Sequence, residues 1–140
     1  MPLAQAVIDS NVVVKWFFPE PSRPEALRLL QLYRDARIVL LAPSLLITEV
    51  CNVCCKKVRR GSASVSVAET AYRFLQTFCP VLVEERGLMH EAMTLALTSG
   101  QSVYDCLYLT LALRRGCDLI TADHKFHAAV HATFPSVLRL

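Results

Sequence analysis

The sequence has 140 residues, of which 54% are hydrophobic; this supplies enough apolar surface for one core, so we expect a single domain over residues 1–140. The formal net charge of +3 is too small to identify a nucleic-acid-binding protein by itself. No run reaches the roughly 18 apolar residues of a membrane helix, and residues 1–5 lack the features of a secretory signal, so we expect a cytoplasmic protein without a membrane segment.

Strand-like and helical segments alternate along the chain. The first strand, 6–8, precedes a helical stretch that reaches Phe18 before Pro19 interrupts it. The other segments are helix 23–36, strand 38–42, helices 45–60 and 64–78, strand 81–83, helices 88–97 and 103–115, strand 118–121 and helix 124–132. Strands separated by helices favour a parallel sheet covered on both faces. We therefore expect an α/β fold of three layers, α/β/α, with a central parallel sheet of four to five strands.

Two aspartates directly follow strands. Asp9 comes after Val7-Ile8, and Asp123 comes after the strand that ends at Thr121. Ligands of open parallel sheets bind beyond the carboxyl ends of the strands, so both carboxylates are candidates for a functional site. The alternative is that each aspartate only caps the helix that follows it.

Asp105 lies in the first turn of a helix that is apolar nearly all round and is therefore expected to be central. A carboxylate there must be paired, hydrogen-bonded or bound to a cation, because burial of a lone charge is costly. The alternative is a capping box, in which Ser102 caps the helix and Asp105 reaches back to it.

Glu49 projects from the apolar side of its helix, between Leu45, Leu46 and Val53. One interpretation is a functional carboxylate at the edge of the core. The other is a structural glutamate that Lys56 neutralises or that extends to water.

The proposed topology brings all four acidic residues to one end of the sheet. Carboxylates that are so close raise one another's pKa values unless a cation compensates their charge. Mg²⁺ and Mn²⁺ prefer oxygen ligands of this kind. The sequence therefore predicts an acidic pocket for Mg²⁺ or Mn²⁺.

A local basic cluster, Lys56, Lys57, Arg59 and Arg60, could contact phosphates. The alternative is a solvated helix end with cations near its C-terminus.

The ordered set of acidic segments resembles the PIN-domain family. The segments are Val7-Ile8-Asp9-Ser10-Asn11, then Glu49, then Tyr104-Asp105-Cys106-Leu107-Tyr108-Leu109-Thr110-Leu111-Ala112, then Leu119-Ile120-Thr121-Ala122-Asp123. They span nearly the whole chain with spacings similar to those of the compact VapC ribonuclease toxins. Cys106 departs from the family pattern, where a small residue such as alanine is usual.

The resemblance implies a PIN-like domain that hydrolyses RNA phosphodiester bonds with Mg²⁺ or Mn²⁺. It implies that Asp9, Asp105 and Asp123 are metal ligands, and that Glu49 binds metal directly or through water and helps to orient the nucleophile. Thr121 and Asn11 would be supporting polar groups. Basic residues outside the pocket would offset repulsion between RNA and the carboxylates, and the candidates are Lys56, Lys57, Arg59, Arg60, Arg114 and Arg115. The resemblance also implies a homodimer whose activity a small antitoxin protein blocks.

Other functions fit the sequence less well. A haloacid-dehalogenase-like phosphatase needs an aspartate where this chain has Asn11, and a receiver-like domain needs one after its third strand, where Glu84 and Glu85 stand. A PIN-fold subunit that binds RNA or protein, with incidental or no nuclease activity, is the main alternative.

The six cysteines, at positions 51, 54, 55, 79, 106 and 117, are expected to be reduced and buried. Zinc binding is an alternative that would use the cysteines at 51, 54 and 55 or the histidines at 124, 127 and 131. The cysteines lack a second C-x-x-C pair, and a helical histidine stripe is more often solvated.

Overall fold

The computed structural model describes residues 2–140, in which five strands form one parallel sheet. The strands are β1 (Ala4–Ile8), β2 (Ile38–Pro43), β3 (Val81–Val83), β4 (Asp118–Thr121) and β5 (Val137–Arg139), in the order β3-β2-β1-β4-β5. The helices are α1 (Ser10–Val14), α2 (Arg23–Arg34), α3 (Leu45–Arg59), α4 (Val65–Phe78), α5 (Met89–Ser99), α6 (Val103–Arg115) and α7 (His124–Val130). The predicted α/β fold, a parallel sheet flanked by helices, is confirmed. Within the described residues, no helix is long and apolar enough to cross a membrane.

The central strands are buried because helices cover them. Val7 and Ile8 of β1 are fully buried, as are Leu40 and Ala42 of β2. The edge strands β3 and β5 each expose two of their three residues. This gradient matches the apolar runs of the sequence, since a parallel strand covered on both faces does not alternate between polar and apolar residues.

Two elements differ from the sequence prediction. Helix α1 ends at Val14 instead of Phe18, and the chain continues in tight turns in which the amides of Lys15, Trp16 and Phe17 each donate to the carbonyl three residues before. Strand β5 was not predicted as a separate segment. Its three residues are too few to show a periodic pattern, and they pair with β4 only in the folded chain.

Helix α6 is the central helix that its apolar sequence predicts. All seven residues from Cys106 to Ala112 are buried, and the helix packs against β1, β2 and β4. Ser102 caps its N-terminus, and Gly116 ends it in the left-handed conformation at φ 60°. Because β4 begins three residues after α6 ends, the helix runs antiparallel to the strands. Its first turn therefore lies at the carboxyl edge of the sheet and its last turn at the opposite edge.

The strand order changes direction between β1 and β4. From β1 the chain crosses to β2 and β3 on one side, whereas β4 and β5 lie on the other. Such a switch point opens a crevice at the carboxyl ends of the two strands. Asp9 follows β1 and Asp123 follows β4, so both lie at this crevice, as the sequence predicts.

Candidate active site

Asp9 occupies the floor of the crevice and is 3% exposed. Its Oδ2 accepts a hydrogen bond of 3.0 Å from the hydroxyl of Thr121. The Asp9 side chain makes no capping hydrogen bond to α1. Asp9 therefore does not serve only as a helix cap, because its carboxylate is bound to the end of β4 through Thr121.

A polar network fixes the ends of β1 and β4 around Asp9. The Thr121 hydroxyl, fully buried, accepts from Asn11 Nδ2 at 3.3 Å and from the Asp123 amide at 3.1 Å. Asn11 Oδ1 also accepts from the amide of Ala122 at 2.9 Å. Thr121 and Asn11 thus both lie next to the buried carboxylate.

Asp123 is half-buried and caps α7, since its Oδ1 accepts from the Phe126 amide at 3.0 Å. The capping interpretation holds here. It does not remove the residue from the pocket, because the charge of Asp123 raises the pKa of Asp105. One oxygen of Asp123 thus caps α7, and the charge of the same carboxylate acts on Asp105.

Asp105 shows the capping contact with Ser102, whose Oγ accepts from the Asp105 amide at 3.1 Å. The side chain of Asp105 is half-buried. Burial is the largest cause that raises its pKa, and Asp123 contributes in the same direction, while hydrogen bonding to Ser102 opposes them. The cap and the acidic pocket therefore coexist at this residue.

Glu49 is held by a tyrosine and not by a lysine. Its Oε1 accepts a hydrogen bond of 2.7 Å from the hydroxyl of Tyr108, which is 1% exposed. Burial raises the pKa of Glu49, and the hydrogen bonds from Tyr108 and Ser10 lower it in part. Lys56 is exposed and forms no ion pair with Glu49, so neutralisation by Lys56 is wrong.

The pocket carries negative charge without a compensating cation. The pKa of Asp9 is raised to about 7, first by burial and then by the charges of Asp105 and Glu49, against the opposing hydrogen bond from Thr121. No lysine or arginine of residues 2–140 forms a salt bridge with Asp9, Glu49, Asp105 or Asp123. The structure thus brings the four predicted acidic residues into one electrostatically coupled group.

Carboxylate oxygens of this kind suit a hydrated divalent ion. Among residues 2–140, no three histidine, cysteine, aspartate or glutamate side chains are close enough to hold one ion together. Mg²⁺ usually keeps several waters and binds through one or two carboxylates, so it does not require a three-ligand group, whereas a closed zinc site does. The uncompensated charge around Asp9 supplies the electrostatic attraction for such an ion.

The six predicted basic residues are not equivalent in position. Lys57 pairs with Glu20 at 2.9 Å and lies over the ring of Phe18. Arg114 pairs with Glu91 at 2.6 Å. Arg114 and Arg115 end α6, and so lie at the edge of the sheet opposite the carboxylates. The other three, Lys56, Arg59 and Arg60, are exposed on the C-terminal half of α3 or just beyond it.

The cysteines and histidines lie outside the acidic pocket. Cys54 and Cys106 are buried as predicted, but Cys55 is exposed and the other three are half-buried, and all six are free. Those at 51, 54 and 55 line an apolar groove of about 680 Å³ between α3 and α4. His127 and His131 stack on each other with ring centroids 4.5 Å apart. Neither set forms a three-ligand metal group in the described part of the chain.

Two residues of the site were missed from sequence. Tyr108 of α6 donates a hydrogen bond to Glu49, and Ser10 of α1 donates one of 3.5 Å to Asp9. The available signal was the position of Glu49 on an apolar helix face, which requires a partner. The sequence alone did not indicate which residue of another helix would reach it.

Comparison with known proteins agrees with this geometry. The family model described as "PIN domain" matches residues 6–131. The chain belongs to the PIN-domain family. Ribonuclease VapC3 of Pyrobaculum aerophilum is 28% identical over 121 residues, which cover 85% of this chain and 89% of that protein.

Solved structures show the same PIN fold. A protein from Pyrobaculum aerophilum, PAE2754, superimposes with a TM-score of 0.72 at 17% identity, covering 99% of this chain and 92% of that one. A toxin–antitoxin complex from Klebsiella pneumoniae superimposes with a TM-score of 0.60 at 18% identity, covering 95% of each chain. These likenesses support the fold.

Proposed function

We propose that this PIN-domain protein is an endoribonuclease that hydrolyses RNA phosphodiester bonds with Mg²⁺ or Mn²⁺. The observation that carries the proposal is the buried, uncompensated carboxylate of Asp9 at the topological switch point, coupled to Asp105 and Glu49. Similarity to a protein named ribonuclease VapC3 supports the choice of RNA as substrate. Such an activity belongs in the cytoplasm, where RNA is available.

Each acidic residue has a defined part in the proposed reaction. Asp9, Asp105 and Asp123 would hold the hydrated cation, no more than two of them directly and the remainder through its water molecules. When bound, the cation would lower the pKa of a water and stabilise charge on the attacking and leaving oxygens. Glu49, held by Tyr108, accepts a proton from the attacking water or orients it. Thr121 keeps the Asp9 carboxylate in place through its hydrogen bond.

Cleavage assays of purified protein test this proposal. Unpaired and hairpin RNAs are incubated with Mg²⁺, Mn²⁺ or EDTA, using wild type, Asp9→Ala and Asp105→Ala. Asp118→Ala is the matched control, because Asp118 is exposed and begins β4 at the opposite edge. We expect metal-dependent cleavage by wild type and Asp118→Ala only. Equal cleavage by all four proteins, or cleavage in EDTA, contradicts the proposal.

We further propose that the protein is the toxin of a toxin–antitoxin pair and acts as a homodimer. Structural similarity to a chain of a toxin–antitoxin complex supports the existence of a small protein inhibitor. Expression in a bacterial host should arrest growth with wild type but not with Asp9→Ala. Arrest by both proteins would favour the alternative, a PIN-fold binding subunit whose effect does not need catalysis.

A further inference from the structure

Tyr104 is an exposed aromatic residue at the mouth of the acidic pocket. It lies in the first turn of α6, directly before Asp105, and 64% of it is exposed. Tyr104 and Tyr108 are four residues apart and therefore share one face of the helix. Because Tyr108 reaches Glu49, this face is directed towards α3. Tyr104 thus lies one turn nearer the carboxyl edge of the sheet, on the Glu49 side of the pocket.

Within the described residues, no side-chain hydrogen bond and no aromatic contact occupies Tyr104. Within residues 2–140 the ring of Tyr104 packs on no other aromatic ring. Tyr108, on the same helix face, is almost completely buried by contrast. Tyr104 is therefore free to present a flat apolar surface to a ligand at the pocket.

Two cations on α3 share the helix face of Glu49. Lys56 and Arg60 follow Glu49 by seven and eleven residues, which places both within about 20° of its direction at 100° per residue. At 1.5 Å per residue they lie roughly 10 and 16 Å farther along the helix axis. Both are exposed, and neither belongs to a salt bridge in the described chain.

The neighbouring cations of α3, Lys57 and Arg59, point in other directions than Glu49, and Lys57 is also paired with a carboxylate. Lys57 is turned about 80° from Glu49 and is neutralised by Glu20. Arg59 is turned about 80° the other way. Lys56 and Arg60 therefore form an unneutralised positive row that leads away from the acidic pocket, and we call this pair the α3 row.

We propose that Tyr104 and the α3 row bind unpaired RNA at the pocket, with one base stacked on Tyr104 and phosphates in contact with Lys56 and Arg60. This inference rests on the proposed ribonuclease function and assigns to Tyr104, Lys56 and Arg60 the contacts with its substrate. An exposed aromatic ring stacks on a base only when the base is splayed out of a helix. The phosphate contacts are independent of sequence and depend on salt.

RNA-binding titrations in EDTA test the contact between Tyr104 and a base in the absence of cleavage. Fluorescein-labelled single-stranded RNA of mixed sequence is titrated in EDTA against wild type, Tyr104→Ala, Tyr104→Phe and Tyr72→Ala. We expect Tyr104→Ala to raise Kd roughly tenfold, and Tyr104→Phe to remain within about twofold of wild type because the ring is kept. Tyr72, an exposed tyrosine on α4, is the matched control. Equal Kd values for wild type and Tyr104→Ala overturn the stacking contact.

A spectroscopic signature distinguishes stacking from an indirect effect. In Tyr104→Trp, the added indole should be quenched when single-stranded RNA binds, whereas in Tyr72→Trp it should not. The native Trp16 is 4% exposed and contributes a constant background. Fully base-paired RNA should quench Tyr104→Trp less than unpaired RNA. Equal quenching by both RNAs overturns the preference for unpaired bases.

Salt dependence tests the α3 row. The double substitution of Lys56 and Arg60 by alanine should reduce the slope of log Kd against log salt by about 1.4, since each phosphate contact of a single strand contributes about 0.7. The control is Arg34→Ala with Arg37→Ala, which removes the same charge from exposed residues between the last turn of α2 and the start of β2. An equal reduction in the control overturns the assignment.

The outcomes separate this inference from the proposed function. If wild type cuts RNA with metal but the Tyr104 and α3-row variants behave like their controls, the ribonuclease function stands and the binding site is wrong. If wild type neither binds nor cuts RNA, both are wrong. Weaker binding in the named variants alone supports the site even before the natural substrate is known.

Discussion

The hydroxyl of Tyr108 donates a 2.7 Å hydrogen bond to Oε1 of Glu49 and so joins α6 to α3 at the pocket. Burial, and secondarily the charge of Glu49, raises the pKa of Tyr108 far above its ordinary value. The phenol therefore stays protonated and keeps donating. This contact fixes one oxygen of Glu49 and leaves the other for the reaction.

Replacement of Tyr108 by phenylalanine should impair the metal site without disrupting the core. The ring is kept, but Glu49 loses the hydrogen bond that orients it. Loss of a group that orients a metal ligand typically costs 10–100-fold in metal affinity or activity. We expect a 10–100-fold decrease in Mn²⁺ affinity, measured by calorimetry, and in the rate of RNA cleavage.

Tyr33→Phe provides the matched control for Tyr108→Phe. The Tyr33 hydroxyl donates to the Cys79 carbonyl at 2.7 Å, far along the chain from the acidic residues. Its loss should lower the free energy of unfolding by about 1 kcal/mol and leave Mn²⁺ affinity unchanged. Similar Mn²⁺ affinity in both variants would show that Tyr108 does not position Glu49.

Replacement by valine should have different effects at two buried threonines: it should lower activity at Thr121 and raise stability at Thr110. Thr121→Val removes the hydroxyl that donates to Asp9 and accepts from Asn11, so activity should fall at least tenfold. Thr110 is also fully buried, but its hydroxyl has no hydrogen-bond partner within residues 2–140. Thr110→Val should therefore raise the free energy of unfolding, by about 1 kcal/mol, with activity kept. Urea unfolding and cleavage assays measure both effects.

Without metal, the protein should become less stable as the pH rises from about 4 to 7. The pKa of Asp9 is about 7 in the folded chain against an ordinary value of 3.8, so the folded state binds more protons in this window. The free energy of unfolding should fall by up to about 4 kcal/mol.

Asp9→Asn tests the source of this pH dependence, because the amide does not ionise. Urea unfolding in EDTA at pH 4 and pH 8 should show a larger decline for wild type than for the variant. The raised pKa values of Glu49 and Asp105 leave a residual decline in Asp9→Asn. The same decline in both proteins would mean that burial does not raise the pKa of Asp9.

Divalent metal should stabilise the folded chain through the acidic pocket. At a free Mn²⁺ concentration of one hundred times Kd, binding contributes about 2.7 kcal/mol, which raises Tm by roughly 8 °C for a chain of this size. Asp9→Ala should show a much smaller shift, while Asp118→Ala should match wild type. A shift of equal size in all three proteins would place the ion elsewhere.

The sequence predicted the fold and the acidic group because both depend on local patterns. Fully apolar strands, separated by helices, indicate a covered parallel sheet, and the carboxyl ends of such strands necessarily meet at one edge. Asp9 and Asp123 are therefore placed by strand position alone. The ends of helices and strands were predicted less accurately, as the early end of α1 and the short strand β5 show. Turns and edge pairing depend on contacts between segments that meet only in the folded chain.

The amino-acid sequence by itself determined the α/β class, the edge at which the carboxylates gather and the apolar character of α6. Only the tertiary structure decided that Glu49 contacts Tyr108 and not Lys56, and that Thr121 donates to Asp9. It also decided that Lys57 pairs with Glu20, whereas Lys56 forms no salt bridge within residues 2–140. The physical reason is distance along the chain. Periodicity determines the direction of a side chain relative to its own helix or strand, whereas the partner in that direction comes from a segment tens of residues away.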